Sequence, residues 1–425
     1  MTVLQRIEAQ GCDCDAAGHR AGLISLEEAL ARIETHVSPV PGTGAVPLLG
    51  AAGRVLAEPV RANTMTPPFD NSAMDGYAVS TAAFAGDGPW SFAVASRVPA
   101  GTAPVAMVGT SRVARIFTGA PLPAGADAVI AQEAAHLSHD RVSFDRCPPR
   151  GLNIRRAGED MMPGQVILAP GVRLGPREIA ACAAAGVGTV AVRRRLRVAL
   201  LVTGDEIACA ESGRDDAQIW DVNTPMLMAA MRDPQVEVVR LERIPDRRDA
   251  LMQGLARRIG RVDVIVTTGG VSVGEEDHVK PALRALGGEI HFSGVAMKPG
   301  KPVSFGRVGA TPWLGLPGNP LSALVTWQLF GGALLRRLTG QTPPRARRLV
   351  VTAVPVRRRP GRCELRPATL VGCDALGREV VRFGDATHSA RVGSLAAADG
   401  LVLLPADRDV LPTGALVEFH PFSNA

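Results

Sequence analysis

The chain is predicted to be an α/β multidomain protein: a central doubly wound parallel α/β domain, a β-rich domain inserted ahead of it, and a small all-β C-terminal domain. Three observations lead there. Between residues 197 and 340, continuous apolar runs such as RVALLVTGDE and VDVIVTTGG alternate with amphipathic stretches, as strands buried on both faces between helices do. From about residue 66 to 165, short alternating segments are broken by glycine and proline. After PPRARR (343–348), strand-like segments return with no helices between them. A chain of 425 residues is too long for one core, so several domains are expected.

The elements follow in order. Residues 1–24 read as a tail; its Cys12 and Cys14 fit either a metal pair or a plain exposed segment. SLEEALARIETHV (25–37) has helical spacing and a capping box, Ser25 with Glu28, so the first helix starts there. PLLGAAGRVLAEPV (47–60) reads as helix or turn, and TPPFDNSAMDGYAV (66–79), full of turn residues, as irregular. Strands are expected at SFAVAS, SRVARIF, ADAVIAQE and RVSFD. Pro176 and Gly186 bracket a helix in RLGPREIAACAAAGVG. Residues 25–63 and 166–196 are thus expected to form a linking unit around a β-rich domain at 64–165. The α/β domain spans 197–342 and the C-terminal β domain 343–425. In the α/β domain the helices are NTPMLMAAMRD, RRDALMQGLARRIG, DHVKPALRALGG and one long PLSALVTWQLFGGALLRRL.

Composition excludes several classes. No run of 18 apolar residues exists, so no membrane span is expected, and the N-terminus lacks the apolar core of a signal peptide. Seven scattered cysteines without a CxxC pair fit a reducing cytoplasm. The net charge of +6 and 4% aromatics do not suggest nucleic-acid binding. RRRLR (193–197) and RRR (357–359) read as solvated strand ends.

The chemistry concentrates where strands end. In an open parallel sheet, ligands bind beyond the carboxyl ends of the strands. Here these ends carry TGDE (203–206), TTGGVSVGEED (267–277) and LPGNP (316–320), with MKPGKP (297–302) expected on the same rim. Of 47 basic residues only Lys280, Lys298 and Lys301 are lysines, and all lie within one short stretch. A compact ammonium there, where guanidinium serves elsewhere, points to an anion. Glycine-rich N–H groups suit a phosphate or oxoanion. Carboxylates beside them suit a divalent cation bridging to it, with Glu206 and Asp277 as ligands, although either acid could instead serve a helix N-terminus. The loop is neither a P-loop nor GxGxxG.

PPFDNSAMDGYAV, IFTGAPLPAGADAVIAQE, NIRRAGEDMMPGQVIL, VTGDEI, TTGGVSVGEEDHV, VAMKPGKPVSFG and GLPGNPLSALVTW, in this order, resemble the molybdopterin molybdenumtransferase (molybdenum insertase) family, which includes the E domain of gephyrin. The resemblance implies an elongated homodimer with four-part subunits. It implies insertion of molybdate into adenylylated molybdopterin with release of AMP. The substrate phosphates, with Mg²⁺, would lie over Thr203, Asp205, Glu206, Gly269, Gly270, Ser272 and Asp277, beside Pro317 and Pro320 of LPGNP. Molybdate would lie near Lys298, Lys301, Arg366 and Ser389. Asp75 and Thr118 would complete the site from the other subunit; Arg155, Asp160 and Asp246 match positions with functional roles. Partners would be a molybdopterin adenylyltransferase and recipient molybdoenzymes.

The chain departs from the family at several positions. Gly294 stands where many relatives have a basic residue, which predicts weaker anion affinity. Ala217 and Trp220 replace a usual Gly and Tyr, which predicts altered packing beside the substrate. His388 and Gly393 replace Gly and Ser, which bears on Ser389. Alternative functions are a molybdopterin adenylyltransferase, whose fold resembles the α/β domain alone, and a non-catalytic scaffold; the flanking domains and KPGK speak against the first.

Overall fold

A computed structural model describes residues 22–104, 108–209, 213–270, 277–343, 346–384 and 392–422. At its centre is a six-stranded sheet. Its strands are β1 (Leu196–Thr203), β2 (Val236–Ile244), β3 (Val264–Thr268), β4 (Glu289–Ser293), β5 (Ser304–Val308) and β6 (Thr311–Leu316), in the order β2-β1-β3-β6-β5-β4. β2, β1, β3 and β6 are parallel, as expected. β5 and β4 add antiparallel, so the sheet is mixed at one edge. EIHFS and SFGRV are too short and too polar to stand out as strands. What builds them is a tight β5–β6 hairpin whose Gly309 takes φ +57°.

The helices are α1 (Leu26–His36), α2 (Pro176–Ala184), α3 (Asn223–Ala230), α4 (Arg248–Ala256), α5 (Val279–Ala285), α6 (Pro320–Thr326) and α7 (Gly332–Thr339). The unbroken apolar run of β1 is explained by its two faces. Leu196, Val198, Leu200 and Val202 enter one core with Leu227 of α3, Leu321 of α6 and Leu334 of α7. Ala199 and Leu201 enter the other with Leu251 of α4, Leu283 of α5 and Trp313. The long helix expected after LPGNP is broken by a π turn, Trp327–Gly331. The Trp327 ring lies where a Gly331 Cβ would be, 2.4 Å from its Cε3. α1, far away in sequence, inserts Leu26, Ala29 and Ile33 into the same core as α3, α6 and α7. Ser25 Oγ accepts from the Glu28 N–H (3.0 Å), but the Glu28 carboxylate turns to Arg32, so only half of the capping box forms.

Around this centre, Thr43–Pro47 pairs with Thr189–Arg193 and Val60–Arg61 with Val166–Leu168, packing α2 over Leu56, Leu174 and Val190. Residues 47–60 hold a 3₁₀ turn at Leu48–Gly50. The β-rich sheet runs in the order 128–131, 76–79, 112–116, 90–98, 141–144, 136–138. The expectation that 66–79 is irregular is corrected here, because Gly76–Val79 is an inner strand. Gly76 makes this possible: the Ile130 carbonyl lies 1.9 Å from where a Cβ would be. Tyr77, the only tyrosine, is a core residue set edge-on to Phe144.

The C-terminal strands at 349–352, 363–373, 379–383, 400–404 and 416–421 close into a barrel, since 363–373 pairs with both 379–383 and 400–404. The reading of the arginine runs as solvated holds for Arg195, Arg197, Arg357 and Arg359, which are exposed, and is corrected for Arg194 and Arg358. The Arg358 side chain is fully buried, donating to the carbonyls of Pro405, Arg362 and Arg408. Arg194 grips Asp263 through both terminal nitrogens at 2.6 Å.

Candidate active site

The strand-end loops of the central sheet converge. Gly269, after β3, has φ +91°, and a Cβ there would meet the Thr203 carbonyl at 2.1 Å. Gly270, at φ +58°, would place a Cβ 3.2 Å from Thr203 Cγ2 and 3.5 Å from Asp246 Oδ1. Only glycine tolerates these backbone conformations without strain, so the TTGG turn is set by sterics. The LPGNP loop packs on the same turn. Thr268 Oγ1 donates to the Pro317 carbonyl (3.1 Å), Asn223 Nδ2 donates to Thr268 Oγ1 (3.0 Å) and the Gly318 carbonyl (2.6 Å), and Pro320 opens α6. Asn223, buried at the start of α3, braces two rim loops and went unnoticed in the sequence; its place just after β1's loop is the only hint.

The carboxylates divide into two kinds. Asp205 and Glu206 are exposed, and Asp205 Oδ1 accepts the Asp246 N–H at 3.1 Å. Asp246 is half-buried and the Asp277 side chain largely buried, and each keeps one carboxylate oxygen, Oδ1, buried without a hydrogen-bond partner. Burial pushes the Asp246 carboxyl up from its ordinary range, with Asp205 and Glu206 adding to the rise and the Thr203 hydroxyl and His278 opposing it. Burial likewise pushes Asp277 up, against the pull of Lys280. Asp277 Oδ2 lies 2.6 Å from Lys280 Nζ. Lys280 of the lysine cluster is therefore buried and ion-paired, while Lys298 and Lys301 are exposed. Among the described residues, no three His, Cys, Asp or Glu side chains converge as a metal cage.

The KPGK loop is joined to the barrel by backbone. Met297–Lys298 pairs in parallel with Cys363–Glu364, and Lys298 stands opposite Glu364. Arg366, two residues on and on the same face, is buried; its Nη2 and Nε donate to Glu364 Oε2 at 2.6 and 3.0 Å, and Nη1 to the Gly384 carbonyl. Glu364 is shared with Arg358, whose Nε lies 3.7 Å from Oε1, so one carboxylate faces two guanidiniums. Gly294 has φ +100°, with Leu23 Cδ2 2.8 Å from a built Cβ, so a basic side chain here would be strained. Trp220 and Ala217 are exposed, Trp220 with the Arg214 guanidinium 5.9 Å from its ring centre. Ser272, Ser389 and His388 lie outside the described residues, as do Cys12 and Cys14.

A second cluster sits on the β-rich unit. Asp75 Oδ1 accepts from both the backbone N–H and the hydroxyl of Thr118, each at 2.8 Å. The Thr118 N–H foremost holds the Asp75 carboxyl below its usual range. Arg155 pairs by backbone with Asn71, and the Asp160 N–H donates to the Thr66 carbonyl, so both exposed side chains belong to the same end of this unit. The described hydrogen bonds of Asp75 and Thr118 stay within the β-rich unit and do not reach the rim.

Comparison with known proteins covers nearly the whole chain. Residues 24–186 match the MoeA N-terminal region (domain I and II), 199–337 a probable molybdopterin binding domain, and 350–422 the MoeA C-terminal region (domain IV). A Mycobacterium tuberculosis protein named molybdopterin molybdenumtransferase 2 is 37% identical over 374 residues, 85% of this chain and 91% of the relative. A Haemophilus influenzae protein named molybdopterin molybdenumtransferase is 35% identical over 320 residues, 75% of this chain and 78% of the relative. Among solved structures, a molybdopterin biosynthesis MoeA protein from Pyrococcus horikoshii superposes with a TM-score of 0.74 at 30% identity, covering 95% of this chain and 100% of that one.

Proposed function

The chain belongs to the molybdopterin molybdenumtransferase family, and on that premise we propose that it inserts molybdate into adenylylated molybdopterin and releases AMP. What supports this reading is that two anion-suited loops border the same end of the central sheet: the TTGG turn follows β3, and the KPGK loop, which also pairs with the barrel, leads into β5 where Ser304 stands opposite Gly315 near the end of β6. N–H groups of the turn suit the substrate's phosphates, and the ammoniums of Lys298 and Lys301 suit a tetrahedral oxoanion. Arg366, tied to Glu364 in the strand that pairs with that loop, would add positive charge beside it, since Glu364 is shared with Arg358.

The donor set fits Mg²⁺. Its oxygens are hard, and the unpartnered buried oxygens of Asp246 and Asp277 are what a cation would satisfy. Asp277, with Glu206 beside the loop, would hold the ion, which would neutralise phosphate charge as the anhydride splits. The N–H groups of the TTGG turn would orient the phosphates. Asp75, preorganised by Thr118, is proposed to serve the rim of the partner subunit in a homodimer, because its own contacts stay in the β-rich unit. Free cysteines suit the cytoplasm, and a molybdopterin adenylyltransferase and recipient molybdoenzymes are the partners this reaction requires. Family matches on both sides of the central unit weigh against adenylyl transfer and a bare scaffold.

The test is incubation with adenylylated molybdopterin, molybdate and Mg²⁺, followed by AMP quantification and activation of a cofactor-free molybdoenzyme. AMP release with activation supports the reading. Neither product, or pyrophosphate formed from ATP and molybdopterin instead, overturns it.

A further inference from the structure

Between the two anion-suited loops runs a continuous line of polar contacts. Asp277 Oδ2 meets Lys280 Nζ at 2.6 Å, and Lys280 Nζ meets Ser293 Oγ at 3.3 Å. Ser293 Oγ meets Ser304 Oγ at 3.2 Å, and Ser304 Oγ donates to the Pro302 carbonyl at 3.1 Å. The line starts at the end of the glycine-rich loop, crosses from α5 to the β4–β5 pair, and ends one residue past Lys301. Lys280 and Ser304 are buried, which strengthens the Asp277–Lys280 and Ser304–Pro302 contacts, while Ser293 between them is exposed.

We propose that Lys280 is a positioning residue that couples the two halves of the site. Its ammonium holds the Asp277 carboxylate on one side and the Ser293–Ser304 pair on the other. A ligand that draws Asp277 toward phosphate, or a cation beside it, thereby shifts the loop carrying Lys298 and Lys301. This explains why the third lysine of an otherwise arginine-only chain is buried: three short-range donors on a compact head reach two walls at once, which a planar fork does not. The proposal rests on the functional reading above.

The experiment measures the Kd of AMP by calorimetry on the full chain, with Mg²⁺, in the absence and presence of saturating molybdate. Wild type is expected to show a change of about fivefold or more. Ser293→Ala, which cuts the line but leaves the Asp277–Lys280 pair, is expected to bind AMP normally and to lose the molybdate effect. Lys280→Met is expected to lose it as well, and Lys280→Arg not to restore it. Should Lys280→Met fail to fold, Ser293→Ala decides alone. A molybdate effect unchanged in Ser293→Ala overturns the coupling, as does wild type binding both ligands independently. Wild type binding neither ligand removes the functional reading itself, and the coupling with it.

Discussion

Asp277→Asn separates two roles that one carboxylate combines. The substitution keeps shape and removes a charge from a pair whose side chains are 9% and 11% exposed. Removing one partner of a buried pair costs about 3–5 kcal/mol, since it strands the other charge. Here the Ser293 hydroxyl still accepts from Lys280 and a tenth of each side chain meets water, so the cost falls at or just below the low end, about 2–3 kcal/mol. Lys280→Met added to Asp277→Asn removes the stranded ammonium and is expected to return about 1–2 kcal/mol. Urea unfolding read by Trp313 and Trp327, which sit in the two cores of the central unit, reports this in a background lacking Trp90 and Trp220. AMP release is expected to be lost in both variants, since neither has the anionic ligand. A double variant no more stable than Asp277→Asn refutes the stranded-charge argument. Retained Mg²⁺-dependent AMP release in Asp277→Asn leaves the carboxylate with a structural role only.

Other outcomes follow from the same geometry. Lys298→Ala and Lys301→Ala should each raise the molybdate needed for half-maximal insertion by about tenfold or more with unchanged unfolding; an unshifted titration in both removes them from the anion site. Gly76→Ala should destabilise the β-rich unit by at least about 2 kcal/mol and speed its proteolysis, because the Ile130 carbonyl occupies the Cβ position; wild-type resistance would contradict this. Asp263 is held below its ordinary pKa by Arg194 and the Arg197 N–H, which outweigh burial. The stability it contributes is present above the ordinary carboxylate value and is lost as pH falls through the folded value, so Asp263→Asn should flatten the stability profile below about pH 4. Asp75→Ala and Asp277→Ala, each inactive alone, should recover about a quarter of wild-type activity when refolded together, because about half the dimers are mixed and each has one intact site. No recovery despite proven subunit exchange would place Asp75 over its own rim.

Much of this was legible in the sequence for a physical reason. β1 and β3 are buried on both faces, so their apolar runs are unbroken, and the glycines that follow have no steric substitute at φ +91° and +58°. The strand at 76–79 was hidden because its pairing depends on one missing Cβ, which looks in sequence like turn chemistry. Arg358 was misread because burial of its guanidinium is decided by partners distant in the chain, the carbonyls of Pro405 and Arg408. The unusual scarcity of lysine could not tell an exposed ammonium from a buried brace: Lys298 and Lys301 face solvent, and Lys280 does not.

The placement of α1 has a consequence for how the chain is made. The Arg337 Nε that donates to the Val37 carbonyl at 2.8 Å lies 300 positions later. At about 5–20 residues per second, a ribosome needs about 15–60 s to deliver that partner after α1 has emerged. An isolated helix of 11 residues is marginal in water, so during that interval Leu26, Ala29 and Ile33 form a loose apolar segment on the nascent chain. The β-rich unit, whose sheet is complete by residue 144, can fold while α1 waits. Synthesis therefore presents a finished domain tethered to an unfinished one, and the window of vulnerability to chaperone capture or aggregation closes only when α7 is delivered.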